Sequence, residues 1–192
     1  MRLLLASSSP RRRELLSLLV SDFESSAPDI DESPRTAEHP ADYVARLARE
    51  KAKAGVADQW VSLGSDTTVA MGQEILGKPR DRQDAAAMLR RLSGNTHEVH
   101  TAVAAAYGDS IETVTCTTSV LFTELSEAAI EQYLLTDEPW DKAGAYGIQG
   151  LAGSFVKRLE GSYSGVVGLP LSETRTLLEA AGIATSLGDR RV

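Results

Sequence analysis

The sequence predicts a mixed α/β fold from three observations. A short apolar run at residues 3–6 is followed closely by Leu15, Leu16, Leu18 and Leu19, spaced as one face of a helix. Val99, Thr101, Val103 and Ala105 alternate with their neighbours. Gly108-Asp109 then turns that segment back into a second extended run at 111–122, giving an antiparallel pair half open to solvent. A last helical stripe at 171–181 stops at Gly182. At 192 residues, the chain makes one large domain or two small lobes sharing a sheet.

Each element has a local reason. Ser9 suits an N-cap and Pro10 the first helical position, so the first helix begins near Pro10. Arg11, Arg12 and Arg13 then crowd its first turn, where the positive end of the helix dipole disfavours cations. Either this is a basic turn left in solvent, or its free N–H groups, serines and guanidiniums await a polyphosphate. Residues 21–40, with Pro28, Pro34 and Pro40, read as loop, and Asp29-Ile30-Asp31-Glu32 within them reads first as a solvated acidic stretch. A helix at 42–56 buries Tyr43, Val44 and Leu47. Four residues further along that stripe comes Lys51, which taken alone reads as snorkelling from the edge of the buried face.

Residues 60–64 read as a strand that delivers Ser65-Asp66-Thr67 at its carboxyl end, the edge where α/β sheets bind ligands. Residues 68–71 and 74–76 form a hairpin around Gly72-Gln73. Asp81 caps a helix that buries Ala85, Met88, Leu89 and Leu92 and stops at Gly94. Beyond the antiparallel pair, Ser126 starts a helix that uses Ile130, Tyr133 and Leu134. Residues 137–153 are too long and glycine-rich a loop to be filler. Two more strands are expected at 155–159 and 163–167, leading to Gly168-Leu169-Pro170, and no internal repeat is found.

Composition narrows the function. A net charge of −7 leaves no basic excess for a run of phosphates, which argues against a general nucleic-acid binder. A small anionic substrate needs only a local cluster of cations. The single Cys116, read as packing within a strand, excludes an intrachain disulfide and a cysteine-rich metal site. His39, His97 and His100 show no ligand grouping with it. No apolar run has the length of a membrane span or signal-peptide core, so no membrane partner is expected and the expected compartment is the cytoplasm.

The polar residues suggest one chemistry. Asp66 and Glu32 are carboxylates from separate segments, and Arg11, Arg12, Lys51 and Lys78 are cations from three. If they converge, the carboxylates hold a hard cation such as Mg²⁺ and the cations hold phosphate oxygens. Metal-assisted hydrolysis of a phosphoanhydride is then within reach, although spacing alone does not bring the groups together. In residues 141–150, Tyr146 offers a flat face and Gln149 an amide that matches the N3–H and O4 edge of uracil or thymine. Turned over, the amide matches cytosine, and the plain alternative is a structural glycine loop around a buried tyrosine.

Six segments resemble, in order and over residues 3–178, the Maf family of nucleoside triphosphate pyrophosphatases. They are Ala6-Ser7-Ser8-Ser9-Pro10-Arg11-Arg12, Glu50-Lys51-Ala52, Gly64-Ser65-Asp66-Thr67, Gly77-Lys78-Pro79, Ser93-Gly94-Asn95-Thr96-His97 and Val167-Gly168-Leu169-Pro170-Leu171. Residues 138–150 are similar to the branch that acts on dTTP and UTP, not to the branch associated with 7-methyl-GTP. The resemblance implies one domain over 1–192, an elongated mixed sheet with flanking helices and two lobes around a central cleft. It also implies a homodimer, a divalent cation (Mg²⁺ or Mn²⁺), and cleavage between the α and β phosphates to a nucleoside monophosphate and pyrophosphate. Under it, Asp66 is the proton acceptor and, with Glu32, the metal ligand, while Lys51 and Lys78 are catalytic cations. Ser7, Ser9 and Arg11 fall on the phosphate side, and Arg12, Thr67 and Gln149 at positions tied to substrate choice. Arg13 lies outside the pattern and reads as surface. The alternatives are modified pyrimidine triphosphates as substrates, a 7-methyl-GTP-type enzyme, and a nucleotide-binding regulator of cell division.

Overall fold

One seven-stranded sheet organises the computed structural model, which describes residues 1–188. In chain order the strands are β1 (Arg2–Leu5), β2 (Glu24–Ser25), β3 (Trp60–Met71), β4 (Glu74–Leu76), β5 (Thr96–Tyr107), β6 (Ser110–Phe122) and β7 (Val156–Glu160). They lie in the order β2-β1-β3-β5-β6-β7, with β4 also paired to β3. β1 runs parallel to β2 and β3, and every other pairing is antiparallel. The flanking helices are α1 (Pro10–Ser17), α2 (Pro40–Ala54), α3 (Arg82–Leu92), α4 (Glu127–Tyr133), α5 (Tyr163–Val167) and α6 (Leu171–Ala180). This is the expected mixed α/β class.

Capping explains where the helices start. Ser9 accepts from the Arg12 N–H ahead of Pro10, Asp81 from the Asp84 N–H at 2.8 Å, and Ser126 from the Ala129 N–H at 3.2 Å. The cap of α2 is less usual: His39 Nδ1 accepts from the Ala41 N–H at 3.2 Å.

Strand alternation sorts the core. Ala102, Ala104 and Ala106 of β5 face Val44, Ala48 and Ala52 of α2. The alternate residues face the other side, where two clusters sit apart. Val61, Leu63, Val103 and Ala105 pack with Leu16, Leu177 and Leu178. Val69 and Val99 pack with Leu89, Leu92, Phe122, Ile130 and Tyr133. These are the two lobes, and one sheet runs through both.

The seam between them is a notch in the sheet. β1 covers one edge of β3 from Trp60 to Leu63, and β4 covers that edge from Val69 to Met71. Between these pairings, residues 64–68 have no strand on that edge among the described residues, while β5 pairs them on the other. The region is also where α2 comes closest. A Cβ on Gly64 would lie 2.2 Å from the Ala48 carbonyl oxygen and 2.5 Å from the Ala52 nitrogen, so only glycine admits the helix at this spacing.

The structure corrects four expectations. Residues 60–71 form one continuous strand, so Asp66 lies mid-strand, and the carboxyl end that opens the site is that of β1. β5 is buried on both faces because α2 covers one and the lobes cover the other; only β6 alternates between core and solvent. Residues 163–167 form helix α5 instead of a strand, because the Ser162 hydroxyl caps the Gly165 N–H at 3.0 Å and outweighs the β-propensity of Val166 and Val167. Met88 is half-buried at the margin of its core. The glycine-rich loop folds into 3₁₀ turns at Pro139–Asp141, Ala143–Ala145 and Leu151–Phe155. Among the described residues, no helix is long and apolar enough to cross a membrane.

Candidate active site

A cleft of about 830 Å³ opens at the notch and is lined from both lobes. Its floor is Asp66, Thr67 and Thr68 of β3. One wall is the turn from Ser7 to Arg12 between β1 and α1, and the other holds Lys78, Lys142 and residues 146–149. All ten residues singled out in the sequence line it: Ser7, Ser9, Arg11, Arg12, Glu32, Lys51, Asp66, Thr67, Lys78 and Gln149. Arg13 is exposed outside it. The register explains the convergence, since β1 stops at Leu5 and its chain turns away just where β3 presents Asp66.

Lys51 does not snorkel. It is 7% exposed, and its ammonium lies 2.6 Å from Asp66 Oδ1 and 2.7 Å from Glu32 Oε1. The close approach over Gly64 sets it there, two residues before Asp66 on the same face of β3. Asp66, also 7% exposed, has its carboxyl pushed up by burial, which the charges of Lys51 and Arg12 only partly offset. For Glu32, partial burial acts in the same direction, but the hydrogen bond and charge of Lys51, with Lys78 and Arg12, hold its carboxyl below the ordinary range. Two neighbouring carboxylates are thereby driven apart, one toward a base and one toward a permanent anion.

The acidic loop is anchored. The Tyr43 hydroxyl donates to the Glu32 carbonyl at 2.9 Å, and Arg46 binds Glu38 at 2.6 and 2.8 Å and the Ser33 carbonyl at 3.1 Å. Burial, then the charges of Asp66 and Glu32, push Tyr43 up to about 12, so it stays protonated. Sequence reading counted Tyr43 as core; its spacing of eight from Lys51, two turns on one helix face, was the available signal.

Arg12 ties three segments together. Its Nε donates to the Gly168 carbonyl at 2.9 Å, and its terminal nitrogens donate to Ser7 Oγ and Thr67 Oγ1, each at 3.3 Å. Burial lowers its pKa while Asp66 and Glu32 raise it, and an arginine remains cationic in any case. Thr67 in turn lies 3.0 Å from Thr101 Oγ1, which donates to the Gly165 carbonyl at 2.7 Å. At the mouth, Arg11 pairs with Asp141 across the cleft at 3.3 Å. Lys78 stands exposed on the rim just past β4.

The far end has a different character. Tyr146 is buried with its hydroxyl 2.9 Å from His97 Nε2, whereas Gln149 is exposed on the rim. The Glu138 carboxylate accepts from the Leu151 N–H at 2.7 Å and pins the turn behind it. The sequence contained no signal for these pairings, because the partners are 49 and 13 residues apart.

These groups fit a divalent cation only in part. Glu32 and Asp66 aim oxygens at one point, where the Lys51 ammonium now sits. Among the described residues there is no group of three His, Cys, Asp or Glu side chains able to cage a metal. A hard ion of the Mg²⁺ type, which keeps waters and takes substrate phosphates as ligands, suits two carboxylates; a fully protein-caged ion does not.

Comparison with known proteins agrees with this site. A family model described as Maf-like protein matches residues 2–181. A dTTP/UTP pyrophosphatase of Hahella chejuensis is 57% identical over 187 residues, covering 95% of this chain and 93% of that one. One from Shewanella oneidensis is 56% identical over 193 residues, covering 95% and 100%. Among solved structures, the Ham1 proteins of Staphylococcus aureus and Coxiella burnetii align with TM-scores of 0.50 and 0.53. Each covers 94% of this chain, with 100% and 99% of the other aligned, at 13% identity, so they show the fold alone. A match along nearly the whole chain, with the ten candidate site residues lining one cleft, places the chain in the Maf family.

Proposed function

We propose that this chain hydrolyses dTTP and UTP to the nucleoside monophosphate and pyrophosphate. The observation that carries the reading is Asp66, a buried carboxylate with raised proton affinity in a cleft lined by Arg11, Arg12, Lys51 and Lys78. Relatives more than half identical to it are named for this activity. A pure nucleotide-binding regulator needs the cations but has no use for a buried base.

In this reading the triphosphate lies along the cationic wall with its base toward Tyr146 and Gln149. Asp66 takes the proton of a water whose oxygen attacks the α phosphorus. The bond from that phosphorus to the bridging oxygen breaks, and its electron pair leaves on pyrophosphate. Lys51, Arg12 and Lys78 offset the charge growing on the leaving group, an effect preset by the fold. Glu32 and Asp66 would hold a divalent cation, Mg²⁺ or Mn²⁺, which polarises the phosphoryl oxygens. Gln149 reads the pyrimidine edge beside the Tyr146 ring. A homodimer, which the family resemblance implies, and a cytoplasmic location belong to the same proposal.

Incubating purified protein with dTTP, UTP, CTP, GTP and 7-methyl-GTP tests the reading. Pyrophosphate should appear with dTTP and UTP and stop on adding chelator. Release of orthophosphate instead, or best turnover of 7-methyl-GTP, overturns it.

A further inference from the structure

We infer that His97, which does not line the cleft, is a positioning residue for base selection: it clamps Tyr146 and thereby sets the segment that ends at Gln149. The inference rests on the proposed pyrimidine reading and deepens it.

The clamp is built from three rings. His97, at the start of β5, is 2% exposed and places Nε2 2.9 Å from the Tyr146 hydroxyl. The two rings meet edge to face with centroids 5.5 Å apart, and Phe122 packs on both, 5.0 Å from His97 and 4.9 Å from Tyr146. Tyr146 is 5% exposed, yet it lines the cleft and begins the run Tyr146-Gly147-Ile148-Gln149 on its wall. A ring held this way has one orientation to offer a base.

Backbone geometry supports the same conclusion. Gly144 and Ala145, immediately before the tyrosine, both have left-handed backbone, with φ of 69° and 59°. That conformation is disfavoured for alanine and persists where the surroundings over-determine it. Here Gly144 N–H donates to the Gly77 carbonyl at 3.0 Å, and a Cβ at Gly144 would meet the Val69 side chain at 3.0 Å. The Gly147 N–H lies 3.4 Å from the Tyr133 hydroxyl. Contacts with Gly77, Tyr133 and His97 thus tie down a segment of four residues.

The protonation states suit a neutral clamp. Burial lowers His97 to about 4 and raises Tyr146, so at neutral pH an uncharged imidazole faces an intact hydroxyl. The His97 Nδ1 is buried with no partner, so the bond to Tyr146 is the ring's one polar link to its surroundings among the described residues. An apolar side chain would fill this space with fewer polar demands, which points to a use for the hydrogen bond.

Binding measured by calorimetry separates this role from simple packing. The probes are α,β-methylene-UTP for the whole site, α,β-methylene-GTP for base selection and inorganic pyrophosphate for the phosphate side alone. Tyr146→Phe and His97→Leu should each weaken α,β-methylene-UTP about tenfold, the size of one hydrogen bond lost, with pyrophosphate binding unchanged. His97→Gln, which can still face the hydroxyl, should recover most of the loss. Unchanged affinity for the UTP analogue in both variants overturns the inference, and so does a parallel fall for pyrophosphate. A parent protein that prefers the UTP analogue but does not cleave dTTP removes the proposed activity and leaves the clamp standing. One that binds both analogues alike removes both.

Discussion

The two ends of the cleft are built differently. At the phosphate end most groups sit on regular elements: Asp66 and Thr67 on β3, Lys51 on α2, Arg12 in the first turn of α1. Lys51 and Asp66 are buried and paired at 2.6 Å, and Arg12 is tied to Ser7 and Thr67 at 3.3 Å. At the base end the reading residues lie in an irregular stretch between two short 3₁₀ turns, with Tyr146 held by aromatic rings and Gln149 in solvent. Reaction at phosphorus is the same for every nucleotide and rewards rigidity, because electrostatic stabilisation works when the dipoles need not reorganise. Base preference is a matter of loop contacts, and loops vary at lower cost to the fold.

The sharpest way to break this comparison is at Asp66. Asp66→Asn keeps the shape and removes the base. It should lower kcat for dTTP by roughly 100- to 1,000-fold, the usual cost of one such preorganised group. A parent-like rate in pyrophosphate-release assays would leave Asp66 without a catalytic role.

Gly64 tests whether the phosphate end depends on helix placement. Gly64→Ala puts a methyl group into the backbone of α2 and should cost about 3 kcal/mol, the upper range for overpacking, measured by urea unfolding. Activity per folded molecule should fall too, because Lys51 is carried on the displaced helix. Full stability would mean that α2 does not rest on β3 as closely as the structure has it.

The charges themselves can be read by titration. Burial raises the Asp66 carboxyl, Lys51 pulls it down and Glu32 pushes it up. Lys51→Met removes a stabilising cation, so the Asp66 pKa should rise further; Glu32→Gln removes a repelling anion, so it should fall. Carboxyl NMR of protein free of divalent ions gives both shifts. Two shifts of the same sign would show that the variants act through repacking and not through charge.

Local chemistry was legible in the sequence; closeness between distant segments was not. Ser9, Asp81 and Ser126 sit at caps because capping is decided within four residues. Asp66 could be named as a candidate, but the strand end beside it is that of β1, some sixty residues earlier. Lys51 read as a snorkelling lysine since nothing within α2 reveals that Gly64 lets the helix settle onto β3. Residues 163–167 misled for the opposite reason: Val166 and Val167 favour a strand, and the Ser162 cap with the burial of Val167 decides for a helix. Motif resemblance supplied the grouping that spacing could not, and it said nothing of the His97–Tyr146 pair, which joins two of its segments only in three dimensions.

Gln149 carries the smallest effect and the clearest contrast between the two ends. Its amide is exposed, so it adds a hydrogen bond to a base partly in solvent, worth about a tenfold change in affinity at most. Gln149→Glu keeps the length of the side chain and replaces the donor with a second acceptor, which repels the O4 of uracil or thymine while still accepting from N3–H. KM for UTP and dTTP should rise about tenfold with kcat nearly unchanged, as expected for an interaction made equally in ground and transition states. CTP offers the converse, since its N4 amino group donates to an acceptor, so the UTP-to-CTP preference should narrow. A fall in kcat with constant KM would place Gln149 in the chemistry after all and dissolve the division of labour between the two ends.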